Sequence, residues 1–318
     1  MNADSIPLVV LVGPTGVGKT ALALSLAERI HLEVISADSR QVYRYMDIGT
    51  AKPSTEEQRR VRHHLIDIVD PDEEFTLAQY QALAYEAIEE IWSRGALPLL
   101  VGGTGLYVKA VVEGWTIPRV PPDSALRRRL EDLAEAEGAA ALHQRLRTLD
   151  PVAAARIDPR NVRRVIRALE VCERMDQPIS DLQRKEPPPY RILQLGLTMP
   201  RPLLYERIDR RVDEMIARGL VAEVEGLVAR GYHYDLPSMS GLGYRQIGAY
   251  LQGKMSLAEA IADIKRQTRR FVRQQYNWFR LSDPRIRWLD GTTLPTDAAE
   301  QAIRAHVGAG ERVRVTAP

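Results

Sequence analysis

The 318 residues carry 44 Lys+Arg against 42 Asp+Glu, so net charge gives no argument for a nucleic-acid partner and the question moves to local clusters. One cysteine, Cys172, excludes an intramolecular disulfide and a cysteine-based zinc site, which fits a reducing compartment. The length allows a sizeable core of two domains, or one domain with an insertion. Residues 1–7 hold no signal-like segment and no run of about 18 apolar residues occurs, so a cytoplasmic protein without a membrane span is expected.

Residues 7–12 read as a buried parallel strand, and Gly13-Pro14-Thr15-Gly16-Val17-Gly18-Lys19-Thr20 follows it directly, with an amphipathic helix at 21–30 behind. Strand, glycine loop and helix in that order make a phosphate-binding loop. The glycines let backbone N–H groups face phosphate oxygens, Lys19 adds a point charge, and the Thr20 hydroxyl can hold Mg²⁺. Binding of phosphates follows from this; transfer of a phosphate does not. Residues 33–37 read as a second strand leading into Asp38-Ser39-Arg40-Gln41-Val42-Tyr43. A helix over 76–93, capped by Thr76 and closed at Gly95, precedes a third strand at 97–101 that ends in Gly102-Gly103-Thr104-Gly105-Leu106-Tyr107. This alternation predicts an α/β, P-loop NTPase-like core with a parallel sheet and helices on both faces, its ligands outside the carboxyl ends of the strands.

Prolines at 118–122 open a region rich in Arg, Glu and Ala that closes at Pro187-Pro188-Pro189. Residues 119–190 are therefore expected to be an all-helical insertion between core segments 1–118 and 191–318. The core resumes with a strand at 191–198, helices near 201–218 and 220–230, a Gly/Ser loop, a long helix around 256–281 and an edge strand at 285–289. Beyond 293 one weak helix and a fraying tail are expected.

A nucleotide hydrolase of this loop class needs a carboxylate after an apolar strand to organise Mg²⁺ and water, yet strand 97–101 ends in glycines. Asp38 is the best-placed carboxylate. With Ser39, Arg40, Gln41 and Tyr43 it suits a planar heterocycle that loses a proton, Gln41 pairing with an adenine edge and Tyr43 stacking. The other reading is a helix cap at Asp38 and a solvated Gln41. Arg167 and Arg211 are candidate diphosphate clamps, against a surface role for each. Three basic clusters are candidates for a phosphate backbone: Arg127 with Arg128 and Arg129; Arg160 with Arg163, Arg164 and Arg167; and Lys265 with Arg266, Arg269, Arg270, Arg273 and Arg280. In the last, Arg266, Arg269, Arg270 and Arg273 recur along one helical stripe, while Phe271, Tyr276, Trp278 and Phe279 are expected in the core. His63 and His64 are adjacent, a poor spacing for a shared metal, and read as structural or substrate-lining.

The motifs 13–20, 38–43, Gly49-Thr50-Ala51-Lys52-Pro53, His63-His64-Leu65-Ile66-Asp67, 102–107 and Gly241-Leu242-Gly243-Tyr244-Arg245-Gln246, in this order across nearly the whole chain, resemble the tRNA dimethylallyltransferases. The resemblance implies transfer of a dimethylallyl group from dimethylallyl diphosphate to N6 of an adenine next to the tRNA anticodon. Diphosphate then leaves from the phosphate loop and Asp38 is the general base. It also implies a role near the flipped base for Thr104, and contact with the anticodon region by Gly243, Tyr244 and Arg245. Two departures stand out. The family's commoner loop has Ala-Ser where Gly16-Val17 stand here, and the cysteine-bearing extension of the eukaryotic relatives is missing, as in the short bacterial type. A monomer is expected. Competing expectations are a small-molecule kinase with ATP on the loop, a free-adenylate isopentenyltransferase, and a nucleotide-gated RNA-binding switch without chemistry.

Overall fold

The computed structural model describes residues 5–118 and 120–308. The expectations for residues 1–4, for residue 119 at the head of the insertion and for the tail at 309–318 lie outside the described residues. In chain order the elements are β1 (Ile6–Val12), α1 (Lys19–Ala27), β2 (Leu32–Ala37), α2 (Thr55–Arg60), β3 (His63–His64), α3 (Leu77–Ser93), β4 (Leu97–Gly102) and α4 (Gly105–Val112). Five helices follow: α5 (Ser124–Glu137), α6 (Ala139–Leu149), α7 (Pro151–Arg156), α8 (Val162–Met175) and α9 (Ile179–Leu182). The chain then forms β5 (Tyr190–Thr198), α10 (Arg201–Ala217), α11 (Leu220–Ala229), α12 (Tyr244–Leu251), α13 (Leu257–Trp278), β6 (Ile286–Asp290) and α14 (Thr296–Val307).

Contacts divide the chain into two compact units, Met1–Val112 with Pro189–Pro318, and Glu113–Pro188. In the first, six strands make one sheet in the order β3-β2-β4-β1-β5-β6, and every pairing is parallel. β1 lies between β4 and β5, and Leu8 to Val12 are fully buried because both faces of a central parallel strand are covered by helices. Side-chain alternation divides its residues between two cores. Leu8, Val10 and Val12 join one apolar cluster with residues of α3, α4, α11 and α12, and Val9 and Leu11 join another with residues of α1, α10 and α14.

All the carboxyl ends therefore open at one edge of the sheet. Because β2, β4 and β1 are neighbours, the segments that follow them, 38–43, 103–107 and 13–20, lie side by side there. The expected Gly/Ser loop between α11 and α13 is broken by α12. Gly243 starts that helix, its N–H donating to Gln246 Oε1 at 3.1 Å, and Tyr244, Ile247 and Gly248 form its buried face. The glycines and serines before it concealed a short amphipathic helix.

The second unit builds its own core from Leu126, Leu130, Leu142, Leu146, Val165 and Leu169, at helical spacing on α5, α6 and α8. Asp150, fully buried, caps α7 by accepting from Ala153 N at 2.8 Å and also accepts from Ser180 N and Oγ. Buried Glu170 accepts from Arg127 at 2.8 and 2.9 Å and from Arg167 at 2.6 Å, and Arg167 also donates to Val120 O at 3.1 Å. Burial raises the Glu170 pKa, but these donors outweigh it and leave the carboxyl below its ordinary range.

Candidate active site

The phosphate loop leaves β1 without a break. Gly18, at φ +107°, is the residue before α1, a backbone setting that L side chains rarely adopt. No side chain caps this helix end and no acidic residue stands in its first turn, so its N–H groups are left for a ligand. Lys19 Nζ donates to the carbonyls of Gly13 and Pro14, both at 2.9 Å. Its pKa falls to about 8 through removal from water, and then through Arg211, with Asp38 opposing. Burial lowers the Arg211 pKa as well. Two desolvated cations without an ion-pair partner among the described residues leave an anion as the missing complement.

A cavity of about 360 Å³ opens above the loop, with Lys19, Thr20 and Asp38 on one side and Arg207, Arg210 and Arg211 of α10 on the other. Arg207 is tied to the carbonyls of Gly291 and Thr292, both at 3.2 Å, and Arg210 stands 3.7 Å from Glu214. Arg211 has no ion-pair partner among the described residues. A second cavity of about 340 Å³ shares Thr15, Lys19, Asp38, Thr50, Gly103 and Arg211 with the first, and adds apolar walls from Ile208, Val212, Met215, Leu242, Ile264 and Phe271. Together they form a channel with a cationic end, an apolar end and Asp38 where they meet.

Asp38 Oδ1 accepts from Arg40 N at 2.8 Å. This is a turn with no helix behind it, and the second carboxylate oxygen has no hydrogen-bond partner among the described residues. Thr104 Oγ1 accepts from Ser39 N at 3.1 Å, and Thr104 N donates to Ala37 O at 3.2 Å, so the Asp38 segment and the second glycine loop are pinned together. Arg40 donates to Pro237 O at 2.8 Å and Ser238 O at 3.2 Å, tying down the loop before Gly241.

Other candidates are more enclosed by the protein. Gln41 lines the first cavity while it accepts from Ser36 Oγ at 3.0 Å and donates to Ala51 O at 3.2 Å, which fixes the orientation of its amide there. Tyr43, 8 % exposed, packs in the core and offers no stacking face. Gly243 and Tyr244 are buried and line the second cavity, Tyr244 donating to Glu223 at 2.6 Å, and Arg245 is exposed. His63 and His64 form β3. His64 Nε2 lies 2.6 Å from Glu33, which Arg94 also grips, and these are structural contacts.

The candidate clamps separate. Arg211 lines the cavity; Arg167 does not, and is held within the helical unit by Glu170 together with Arg127. On α8, Arg163 and Arg164 are exposed without an ion-pair partner among the described residues. On α13, Arg266 pairs with Asp263 and Arg269 grips Asp209, whereas Arg270 and Arg273 are exposed and unpaired among the described residues. Phe271, expected in the core, is 38 % exposed and lines the second cavity. Arg207 and Arg210, on the helix expected near 201–218, also line the first cavity. Gln275 carried a quieter signal, a polar residue on the apolar stripe of Ile264 and Val272 on α13 and Phe279 just after it.

For Mg²⁺ the protein supplies Thr20 at the first turn of α1, facing the cavity. Among the described residues no group of three or more acidic, His or Cys side chains could hold a metal. This donor set fits an ion carried on phosphate oxygens and water, and not a protein cage. No described helix is long and apolar enough to cross a membrane.

The IPP transferase family model matches residues 41–282, a span that begins after the phosphate loop and Asp38. A tRNA dimethylallyltransferase of Roseiflexus castenholzii is 56% identical over 300 residues, covering 94% of this chain and 96% of its own. One from Herpetosiphon aurantiacus is 54% identical over 286 residues, covering 90% and 91%. The crystal structure of the tRNA isopentenylpyrophosphate transferase of Bacillus halodurans is similar with a TM-score of 0.67 at 46% identity, covering 94% of both chains. A eukaryotic dimethylallyltransferase acting on tRNA gives 0.77 at 28% identity, covering 94% of this chain and 78% of the other. With its phosphate loop, its two-ended channel and these matches, the chain belongs to the IPP transferase family.

Proposed function

We propose that this protein transfers a dimethylallyl group from dimethylallyl diphosphate to N6 of the adenine adjacent to the anticodon of tRNA, releasing diphosphate. The channel carries this reading: its cationic end suits a diphosphate, its apolar end a five-carbon chain and a purine, and one carboxylate stands where they meet. The C–O bond to diphosphate breaks, the C–N6 bond forms, and the N6 proton passes to Asp38. Lys19, Arg211 and the N–H groups at the start of α1 stabilise charge on the departing oxygen, and Arg207 and Arg210 complete the cationic wall. Thr20 would hold Mg²⁺ on the diphosphate, where the ion supplies further neutralisation of the leaving group.

An adenine inside a tRNA loop reaches such a channel only after leaving its stack. Arg270 and Arg273 on α13, and Arg163 and Arg164 in the helical unit, are exposed guanidinium groups without an ion-pair partner among the described residues and can meet the tRNA backbone, and Arg245 is exposed near the channel loop. The helical insertion is read as a tRNA-binding domain on these charges. A tRNA substrate supports a cytoplasmic setting.

A kinase reading accounts for the phosphate loop but leaves the apolar end of the channel without an occupant. The test is incubation with labelled dimethylallyl diphosphate, Mg²⁺ and unmodified tRNA, or free adenylate. Label is expected in tRNA. ATP turnover without label transfer rejects the reading, and label in adenylate alone rejects the tRNA acceptor.

A further inference from the structure

Gln275 lies on the buried side of α13, 4 % exposed. Its Oε1 accepts from Thr15 N at 2.9 Å and its Nε2 donates to Gly103 O at 3.0 Å. One partner is a donor and the other an acceptor, so the amide is the group that satisfies both. A carboxylate would turn an oxygen on Gly103 O, and a thioether would leave both backbone groups without a strong partner. The loop passes so close that a Cβ on Gly103 would lie 2.4 Å from Nε2.

The two bonded residues come from different strands, Thr15 after β1 and Gly103 after β4, and both line both cavities. Thr104 follows Gly103 and accepts from Ser39 N at 3.1 Å, next to Asp38. A short chain of contacts thus runs from the phosphate loop through Gln275 and Thr104 to the carboxylate.

We propose that Gln275 is a positioning residue: it sets the separation between the phosphate loop and the Gly103–Thr104 loop, and with it the approach of the leaving diphosphate to the acceptor held at Asp38. This rests on the prenyl-transfer reading above. The donor half and the acceptor half of the site are borne on separate loops, and a displacement of about 1 Å between reacting groups is enough to cost roughly 100-fold in rate. The two bonds have separable consequences. The bond to Thr15 N shapes the loop that binds diphosphate, and the bond to Gly103 O places the Thr104–Asp38 side.

The experiment compares wild type, Gln275→Glu and Gln275→Met in label transfer to saturating tRNA with varied dimethylallyl diphosphate, and in binding of inorganic diphosphate. Rates are taken well below each Tm and normalised to the folded fraction. Gln275→Glu keeps an acceptor for Thr15 N, so diphosphate affinity should stay within about threefold of wild type while kcat falls by about 30-fold or more. Gln275→Met should lose both, with KM and the diphosphate Kd rising together with the fall in kcat. Equal kinetics for all three proteins, or losses that track only the loss of folded protein with KM unchanged, overturn the proposal. A wild-type protein that transfers no label fails the prenyl-transfer reading, separately from any difference among the variants.

Discussion

Half-buried cations meet opposite fates in the two units. In the helical unit Arg127 and Arg167 converge on Glu170, a fully buried carboxylate, and their charges are neutralised where they stand. In the sheet-bearing unit Lys19 and Arg211 share a cavity that holds Asp38 but no ion-pair partner for either among the described residues, and both pKa values are driven down, first by burial. A cation paired with a buried carboxylate is a fastening, whereas a desolvated one without such a partner is kept at a cost that a bound anion offsets. From sequence Arg167 and Arg211 read alike as clamps; the presence or absence of a carboxylate separates them.

Asp38 is the carboxylate that both cavities share with those cations. Asp38→Ala should lower label transfer by ~10²–10⁴ while tRNA and diphosphate binding persist, measured by single turnover and by titration. A binding loss as large as the rate loss would show that Asp38 holds substrate and is not a base. Next, Arg211→Met should weaken diphosphate binding by ~100-fold without lowering the Tm of the ligand-free protein, since it removes an uncompensated cation; a Tm drop would make Arg211 structural.

Glu170→Gln should act in reverse, destabilising the protein by about 2 kcal/mol in chemical denaturation with diphosphate affinity unchanged, the cost being held down because both arginines are about one-third exposed. Weakened diphosphate binding at constant stability would restore Arg167 as a clamp. Lys19 gives a smaller, pH-dependent effect. Free Lys19 loses its proton near pH 8, and a bound anion favours the charged form and raises that pKa. Binding should therefore take up about half a proton at pH 8, seen by calorimetry in two buffers, and affinity should fall as pH rises above 8 by up to about tenfold per unit. An affinity flat from pH 7 to 10 would mean that Lys19 makes no charged contact. Smallest is the double change Arg270→Ala with Arg273→Ala, which should reduce the salt dependence of tRNA binding by about two units of slope; an unchanged slope removes α13 from the interface.

Much of the fold was legible because its signals are local. The apolar runs of β1, β2 and β4, the Thr76 cap of α3 and the glycine loop before α1 each declare themselves within a few residues. α12 stayed hidden because eight residues behind a glycine-rich stretch carry too short a period, and β3 because two residues make a strand only when β2 supplies the partner. In the site, Asp38, Lys19 and Thr20 were visible from their place at strand ends. Tyr43, expected to stack on a base, packs in the core instead, because whether an aromatic group faces a ligand or its own protein is settled by neighbours distant in sequence.

The amino-acid sequence alone determined the phosphate loop, the parallel α/β core and the family resemblance, since each is encoded in contiguous residue types and their spacing. Only the tertiary structure decided that two cavities join at Asp38, that Arg211 is left unpaired while Arg167 is neutralised, and that Gln275 bridges two loops from across the sheet. Those are statements about which groups remain unsatisfied once the chain has folded, and hydrogen-bond and charge satisfaction are summed over contacts that no local stretch contains.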